Sequence, residues 1–165
     1  MIPDDIEVRT ARAPETVALH EMWLTAPDRY DWAPAESDDA PLLAELDVLV
    51  ADRRVWGAFD ANGSPVGLAA AGEIDSQLFL AVLGVAEEVR LQGIGRALLE
   101  PVLEFGVAAQ YPALVTVTAR HGAGATFLRH CGFVDLPEGR ESAGLAALLG
   151  DDPSAPTKAA FARPL

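Results

Sequence analysis

Apolar and polar residues alternate from Ile6 to Arg12, with Ile6, Val8 and Thr10 set against Glu7 and Arg9, and this two-residue period predicts a half-buried β-strand. Pro14 then opens a stretch in which Leu19, Met22, Trp23 and Ala26 recur at helical spacing, so a helix with Trp23 in the core is predicted. Pro27 to Ala40 mixes prolines with Asp28, Asp31, Glu36, Asp38 and Asp39 and reads as a loop. A second helix follows, with Pro41 in its first turn, Asp38 or Asp39 placed to cap it, and Leu42, Leu46, Leu49 and Val50 as its apolar stripe; it ends near Asp52.

Arg54 to Phe59 and Pro65 to Gly72 are strand-like runs joined by Ala61-Asn62-Gly63-Ser64, and Asn-Gly tolerates the positive φ angles of a hairpin turn. Gln77 to Val85 is apolar without alternation, the mark of a central strand covered on both faces. Gly93 to Ala109 is helical, with Ile94, Leu98, Val102 and Phe105 on one side and Pro101 expected to bend it. Leu114 to Ala119 is a further strand, Gly122 to Cys131 a short helix, and Phe133 begins another strand. Residues 139–157 read as a loop around a short Leu-Ala helix, and Lys158 to Arg163 supplies a last strand. The 165 residues, half of them hydrophobic, match one mixed α+β domain spanning 1–165.

Charge and composition narrow the function. Lys plus Arg number 12 against 25 for Asp plus Glu, a net charge of −13, which disfavours a nucleic-acid partner. The lone Cys131 cannot form an internal disulfide and no Cys/His spacing resembles a metal site, so no metal is expected. The longest apolar run, Leu78 to Ala86, falls far short of the ~20 residues of a membrane span. The acidic N-terminus is unlike a signal peptide, so a cytoplasmic protein away from membranes is expected. Residues 1–75 carry 16 acidic and 5 basic side chains, whereas residues 76–140 carry 6 and 5. That asymmetry fits two ligands of opposite charge, and equally an acidic surface that only keeps the chain soluble.

The chemistry concentrates in Leu83-Gly84-Val85 followed by Arg90-Leu91-Gln92-Gly93-Ile94-Gly95-Arg96: a buried strand, a turn, two glycines and a helix. Amides from Leu91 through Arg96 lack intrahelical partners, the helix dipole places partial positive charge there, and glycine lets a diphosphate approach the backbone. Arg96 adds a full charge. The dinucleotide fingerprint fails because Leu98 stands where a third Gly or Ala is needed, and the P-loop's Gly-Lys-Ser/Thr is absent.

The pattern Arg-x-x-Gly-x-Gly at Arg90 to Gly95, with Phe127-Leu128-Arg129-His130-Cys131-Gly132-Phe133 about thirty residues on, resembles the acetyl-CoA signature and closing helix of the GNAT acyltransferase superfamily. The order of elements agrees along the whole chain. The resemblance implies a mixed, mostly antiparallel sheet of about seven strands with four helices. It implies that strands Gln77–Val85 and Leu114–Ala119 splay apart for the pantetheine arm of acetyl-CoA, with Gly84 placed for the bulge that opens them. It also implies cofactor contacts at Leu83, Gly84, Val85, Arg90, Leu91, Gln92, Gly93, Ile94, Gly95, Arg96 and Phe127, and direct attack of a primary amine on the thioester.

Two positions depart from the family pattern: the Tyr that protonates the leaving thiolate in many relatives is Leu128, and the usual helix-opening Asn is His121. Cys131, three residues on, is either a substitute donor or an ordinary buried side chain. Glu73 is the chosen general base, with Asp75 and His20 as alternatives. Trp23, Tyr30, Trp32 and Trp56, with acids near Tyr30-Asp31-Trp32, suit a cationic small-molecule or peptide amine, unless these aromatics pack the core. Leu128 leaves a second reading, a non-catalytic acyl-CoA-binding sensor of the same fold, and a homodimer stays open.

Overall fold

The computed structural model describes residues 2–26, 39–137, 140–149 and 158–165. Seven strands form one sheet: β1 (Glu7–Thr10), β2 (Val55–Phe59), β3 (Pro65–Ile74), β4 (Gln77–Val85), β5 (Ala113–Ala119), β6 (Val134–Asp135) and β7 (Lys158–Pro164). Their spatial order is β1-β2-β3-β4-β5-β7-β6. Every neighbouring pair is antiparallel except β4 and β5, which run parallel. The helices are α1 (Thr16–Thr25), α2 (Asp39–Ala51), α3 (Ile94–Ala108), α4 (Ala123–His130) and α5 (Ala143–Leu149). Among the described residues that is one helix more than the four expected; the fifth is the short Leu-Ala helix within 139–157. No helix of the described residues is long and apolar enough to cross a membrane.

Small residues in the strands show which helix lies on which face. A methyl group at Gly57 or Gly84 would run into Leu19 or Trp23 of α1, whereas one at Gly67 would meet Ile94 and Leu98 of α3. The two helices therefore cover opposite faces, and the unbroken apolar run of β4 follows from burial on both sides. Leu19, Trp23, Leu46, Leu68, Leu80, Leu98 and Leu128 are fully buried in one core. Trp56 is buried too, edge-on to Phe105 at 5.7 Å between ring centres. Trp23 and Trp56 are thus packing residues, while Tyr30, Asp31 and Trp32 lie outside the described residues. A smaller cluster of Val115, Val117, Leu145 and Ala160 seats α5 on the sheet. The amide of Gly144 in α5 donates to Asp75 Oδ2 at 2.7 Å, clasping that helix to the β3–β4 turn.

The β4–β5 ladder comprises only Leu78↔Leu114 and Phe79↔Val115, after which the strands part. The bulge is not at Gly84. On the β3 side Ala70 faces Val82 and Ala71 faces Leu80, so Ala81 is the extra residue. Gly84 serves a different end, close approach: a Cβ there would sit 2.6 Å from Cζ3 of Trp23.

At the N-terminal edge, the Arg9 guanidinium lies 4.0 Å from the Phe59 ring centre and grips both carboxylate oxygens of Glu15. Glu15 Oε1 also accepts the Arg12 amide at 2.8 Å, fixing the turn that leads into α1. The hydrogen bonds from Arg9 hold the Glu15 carboxyl at about 2, below its ordinary 4.5, against the upward push of burial. A carboxyl depressed on folding contributes stability above its unfolded value and loses that contribution as pH falls through the folded one. Glu15→Gln is expected to cost about 1–2 kcal/mol at pH 7, a partly exposed charge-assisted pair. In urea titrations the gap between wild type and variant should close as pH falls from 4.5 to about 2; a pH-independent gap would reject this role.

Candidate active site

The turn after β4 leads through a short 3-10 segment, Glu87–Val89, to Leu91 at φ 63° and Gly93 at φ 83°. Gly93 is the N-cap of α3 and has no side chain to offer the helix, so a left-handed cap is reached without a Cβ penalty. The first amide to bond back into the helix is Ala97, donating to the Gly93 carbonyl at 3.1 Å. The N–H groups of Ile94, Gly95 and Arg96 therefore point out of the helix start, where the dipole is positive. Gly95 keeps that surface low against α4: a Cβ there would touch the Phe127 ring at 3.4 Å.

These groups line a cavity of about 520 Å³ bounded by the end of β4, the β4–α3 turn, the start of α3 and one face of α4. Of the residues expected to meet a cofactor, Leu83, Gly84, Val85, Arg90, Leu91, Gly93, Ile94, Gly95, Arg96 and Phe127 all line it; Gln92 does not. Val89, Gly124 and Thr126 are lining residues that the motif did not point to. The spacing of Gly124, Phe127 and His130, one helical face, is the signal that would have found that wall. Donors for a diphosphate, two arginines and an apolar flank fit coenzyme A in kind.

The β4 backbone extends the cavity into the sheet. The Ala86 amide donates to the Val66 carbonyl at 2.8 Å, and counting back in twos, Gly84 and Val82 also turn their polar backbone groups toward β3. Leu83 and Val85 consequently turn their N–H and C=O groups the other way, into the space that β5 has vacated. Leu80, before the bulge, also faces β5, and its carbonyl accepts the Thr116 hydroxyl at 2.8 Å.

The structure does not bring Glu73 to this cavity. Glu73 pairs with Leu78 at the zipped end of the β4–β5 wedge, and its carboxylate accepts the Tyr111 hydroxyl at 2.5 Å, just beyond the C-terminus of α3. The cradle lies at the other end of that helix, roughly 20 Å away by helical rise. Tyr111 in turn accepts from Arg54 at 3.0 Å, so Glu73 closes a surface chain of three polar groups. Asp75 is committed to the α5 clasp, and His20 is buried on α1; neither lines the cavity. Leu128 is fully buried in the core. Cys131 also lies outside the cavity lining, and burial pushes its thiol up despite Arg96 and Arg163 nearby.

Comparison with known proteins places this geometry in context. The model of the acetyltransferase (GNAT) family matches residues 15–133. A GNAT-family acetyltransferase of Staphylococcus aureus superposes with a TM-score of 0.76 at 18% identity, covering 97% of this chain and 99% of its own. The PaiA N-acetyltransferase of Thermoplasma acidophilum, solved in complex with coenzyme A, gives 0.70 at 16% identity over 97% and 99%. A Drosophila melanogaster polyamine N-acetyltransferase, which forms N-acetylagmatine, gives 0.73 at 17% identity over 98% and 100%. With the family model spanning most of the chain and the fold shared end to end, the protein belongs to the GNAT acetyltransferase family and is an acyltransferase.

Proposed function

We propose that the protein transfers an acetyl group from acetyl-CoA to a primary amine of a small cationic molecule or peptide, by direct attack and without an acyl-enzyme. The observation that carries this reading is the junction between the amide cradle of α3 and a β4 edge left open by β5. The N–H groups of Ile94, Gly95 and Arg96, with the guanidinium groups of Arg90 and Arg96, suit a diphosphate. The backbone groups of Leu83 and Val85 suit an extended, amide-bearing arm that adds to β4 as a strand would.

In the reaction the amine nitrogen attacks the thioester carbonyl carbon, the carbon–sulfur bond breaks, and its electron pair leaves on sulfur as the nitrogen gives up a proton. A preset β4 amide facing the gap can meet the developing oxyanion, an interaction worth about 3 kcal/mol. Holding the two reactants in one cleft supplies much of the remainder. Glu73 is left out of this scheme, since it does not line the cavity and its carboxylate accepts the Tyr111 hydroxyl.

The acceptor side follows from where α1 ends. A Cβ at Gly84 would lie 3.5 Å from that of Ala26, so the end of α1 packs on the face of β4 at a residue that lines the cavity, and the chain that follows Ala26 is the segment beginning at Pro27. Its sequence holds Asp28, Asp31, Glu36 and Asp38 with Tyr30 and Trp32, carboxylates and aromatic faces that suit an ammonium ion. The likeness to a polyamine acetyltransferase points the same way. Coenzyme A chemistry and a single reduced cysteine fit a cytoplasmic setting.

Thiol release from acetyl-CoA, followed across a panel of mono-, di- and polyamines and amino acids, should appear with cationic amines. Saturable coenzyme A binding with no turnover on any amine would favour the non-catalytic sensor instead. Gly95→Asp puts a carboxylate where the diphosphate is held while suiting the helix dipole, so coenzyme A affinity should fall about 100-fold or more with little change in Tm. Undiminished affinity by calorimetry would remove the cradle assignment. Glu73→Gln should leave the pH profile of kcat/KM unaltered; loss of its acidic limb would restore Glu73 as the base.

A further inference from the structure

The wall that α4 gives the cavity differs in charge from the rest of the molecule. The chain carries a net charge of −13, yet residues 105–134 contain no Asp or Glu, and the described residues that line the cavity include Arg90, Arg96 and His130 but no acid. Two basic side chains stand in the last turn of α4. Arg129 donates to Asp135 through Nε at 2.9 Å and through Nη2 at 2.8 Å, so its charge is matched on the β6 side. His130 is exposed and lines the cavity. Arg163 adds positive charge behind that turn: a Cβ at Gly132 would sit 3.6 Å from its Nε, and it does not line the cavity.

Position along the helix says what His130 can reach. Phe127 abuts the first turn of α3 at Gly95, where the amide cradle lies, and His130 stands three residues further along the same face, about 4.5 Å by helical rise. From the α3 side, the charge of Arg96 is felt by the thiol of Cys131, the residue after His130, so the start of α3 and the last turn of α4 share one positive corner. Coenzyme A carries its third phosphate on the ribose that also bears the diphosphate, so a seat for that phosphate must lie within one sugar of the cradle. We propose that His130 holds the 3′-phosphate through a charge-assisted hydrogen bond and is a specificity-determining residue, separating coenzyme A from its 3′-dephospho form and from carriers that present a pantetheine arm without that phosphate. This rests on the assignment of the cavity to coenzyme A and adds a second anion seat to it. His130 takes no part in bond making.

Calorimetry with coenzyme A and 3′-dephospho-coenzyme A tests this apart from turnover. The wild-type protein should bind coenzyme A about tenfold more tightly than the dephospho form. His130→Gln, at an exposed position where Tm should hold, should weaken coenzyme A about fivefold or more and leave the dephospho form within about twofold, so that the preference is lost. His130→Arg, which keeps a cation there, should retain a preference of about tenfold or more. Equal wild-type affinity for the two ligands overturns the proposal whatever the variants do. A His130→Gln protein that keeps the preference overturns it as well, and so does one that weakens both ligands equally, since His130 would then meet a part they share. Absence of binding by either ligand would instead bring down the cofactor assignment, and the phosphate seat with it.

Discussion

A strand in the middle of a sheet has polar backbone groups on both edges, and each must find a partner. β4 meets that demand fully on the β3 side, through eight residue pairs interrupted by one bulge. On the β5 side it meets it for two pairs and then faces open space. Unpaired N–H and C=O groups at the centre of a sheet are costly, so an arrangement that leaves them open invites an extended ligand to complete the ladder. The cavity at the end of β4 is a consequence of where this ladder stops.

Close packing lies on both sides of the gap. On one face Trp23, 1% exposed, lies on Gly84, and the contact is so close that no other residue fits at 84 without displacing the ring. On the other, Phe127 of α4 rests against Gly95 at the start of α3, bringing the second wall of the cavity to the first turn of that helix. The same contacts make the site rigid where donors must be aimed in advance.

Most of this was legible in the sequence, for an identifiable reason. Every strand and helix boundary read from periodicity lies within a few residues of the observed one, since apolar residues on a strand or helix must follow the period of the surface they bury. The cradle was legible because backbone geometry at Arg90 to Gly95 demands glycine at fixed places. The bulge was not. From Leu78 to Val85 no position is polar, so a one-residue slip at Ala81 leaves no trace in the pattern, and Gly84 was the obvious but mistaken site. Glu73 shows the same limit: its distance from the cradle depends on the strand register and on the length of α3, neither of which a local motif carries.

The absence of Tyr at the closing helix changes what the site must do. Leu128 sits fully in the core, and Cys131 is a thiol that burial makes a still weaker acid. A departing coenzyme A thiolate, with an ordinary thiol pKa near ~8.5, leaves tolerably well without a donor. In contrast, the attacking nitrogen must be neutral, and on the proposed reading an alkyl ammonium held by carboxylates would keep its proton more firmly than in water. Carboxylates that favoured binding of such an amine would thus oppose the step that follows. On that reading catalysis turns less on a dedicated acid than on how the acceptor loses its first proton, so rate should rise with pH through the range in which the bound amine deprotonates.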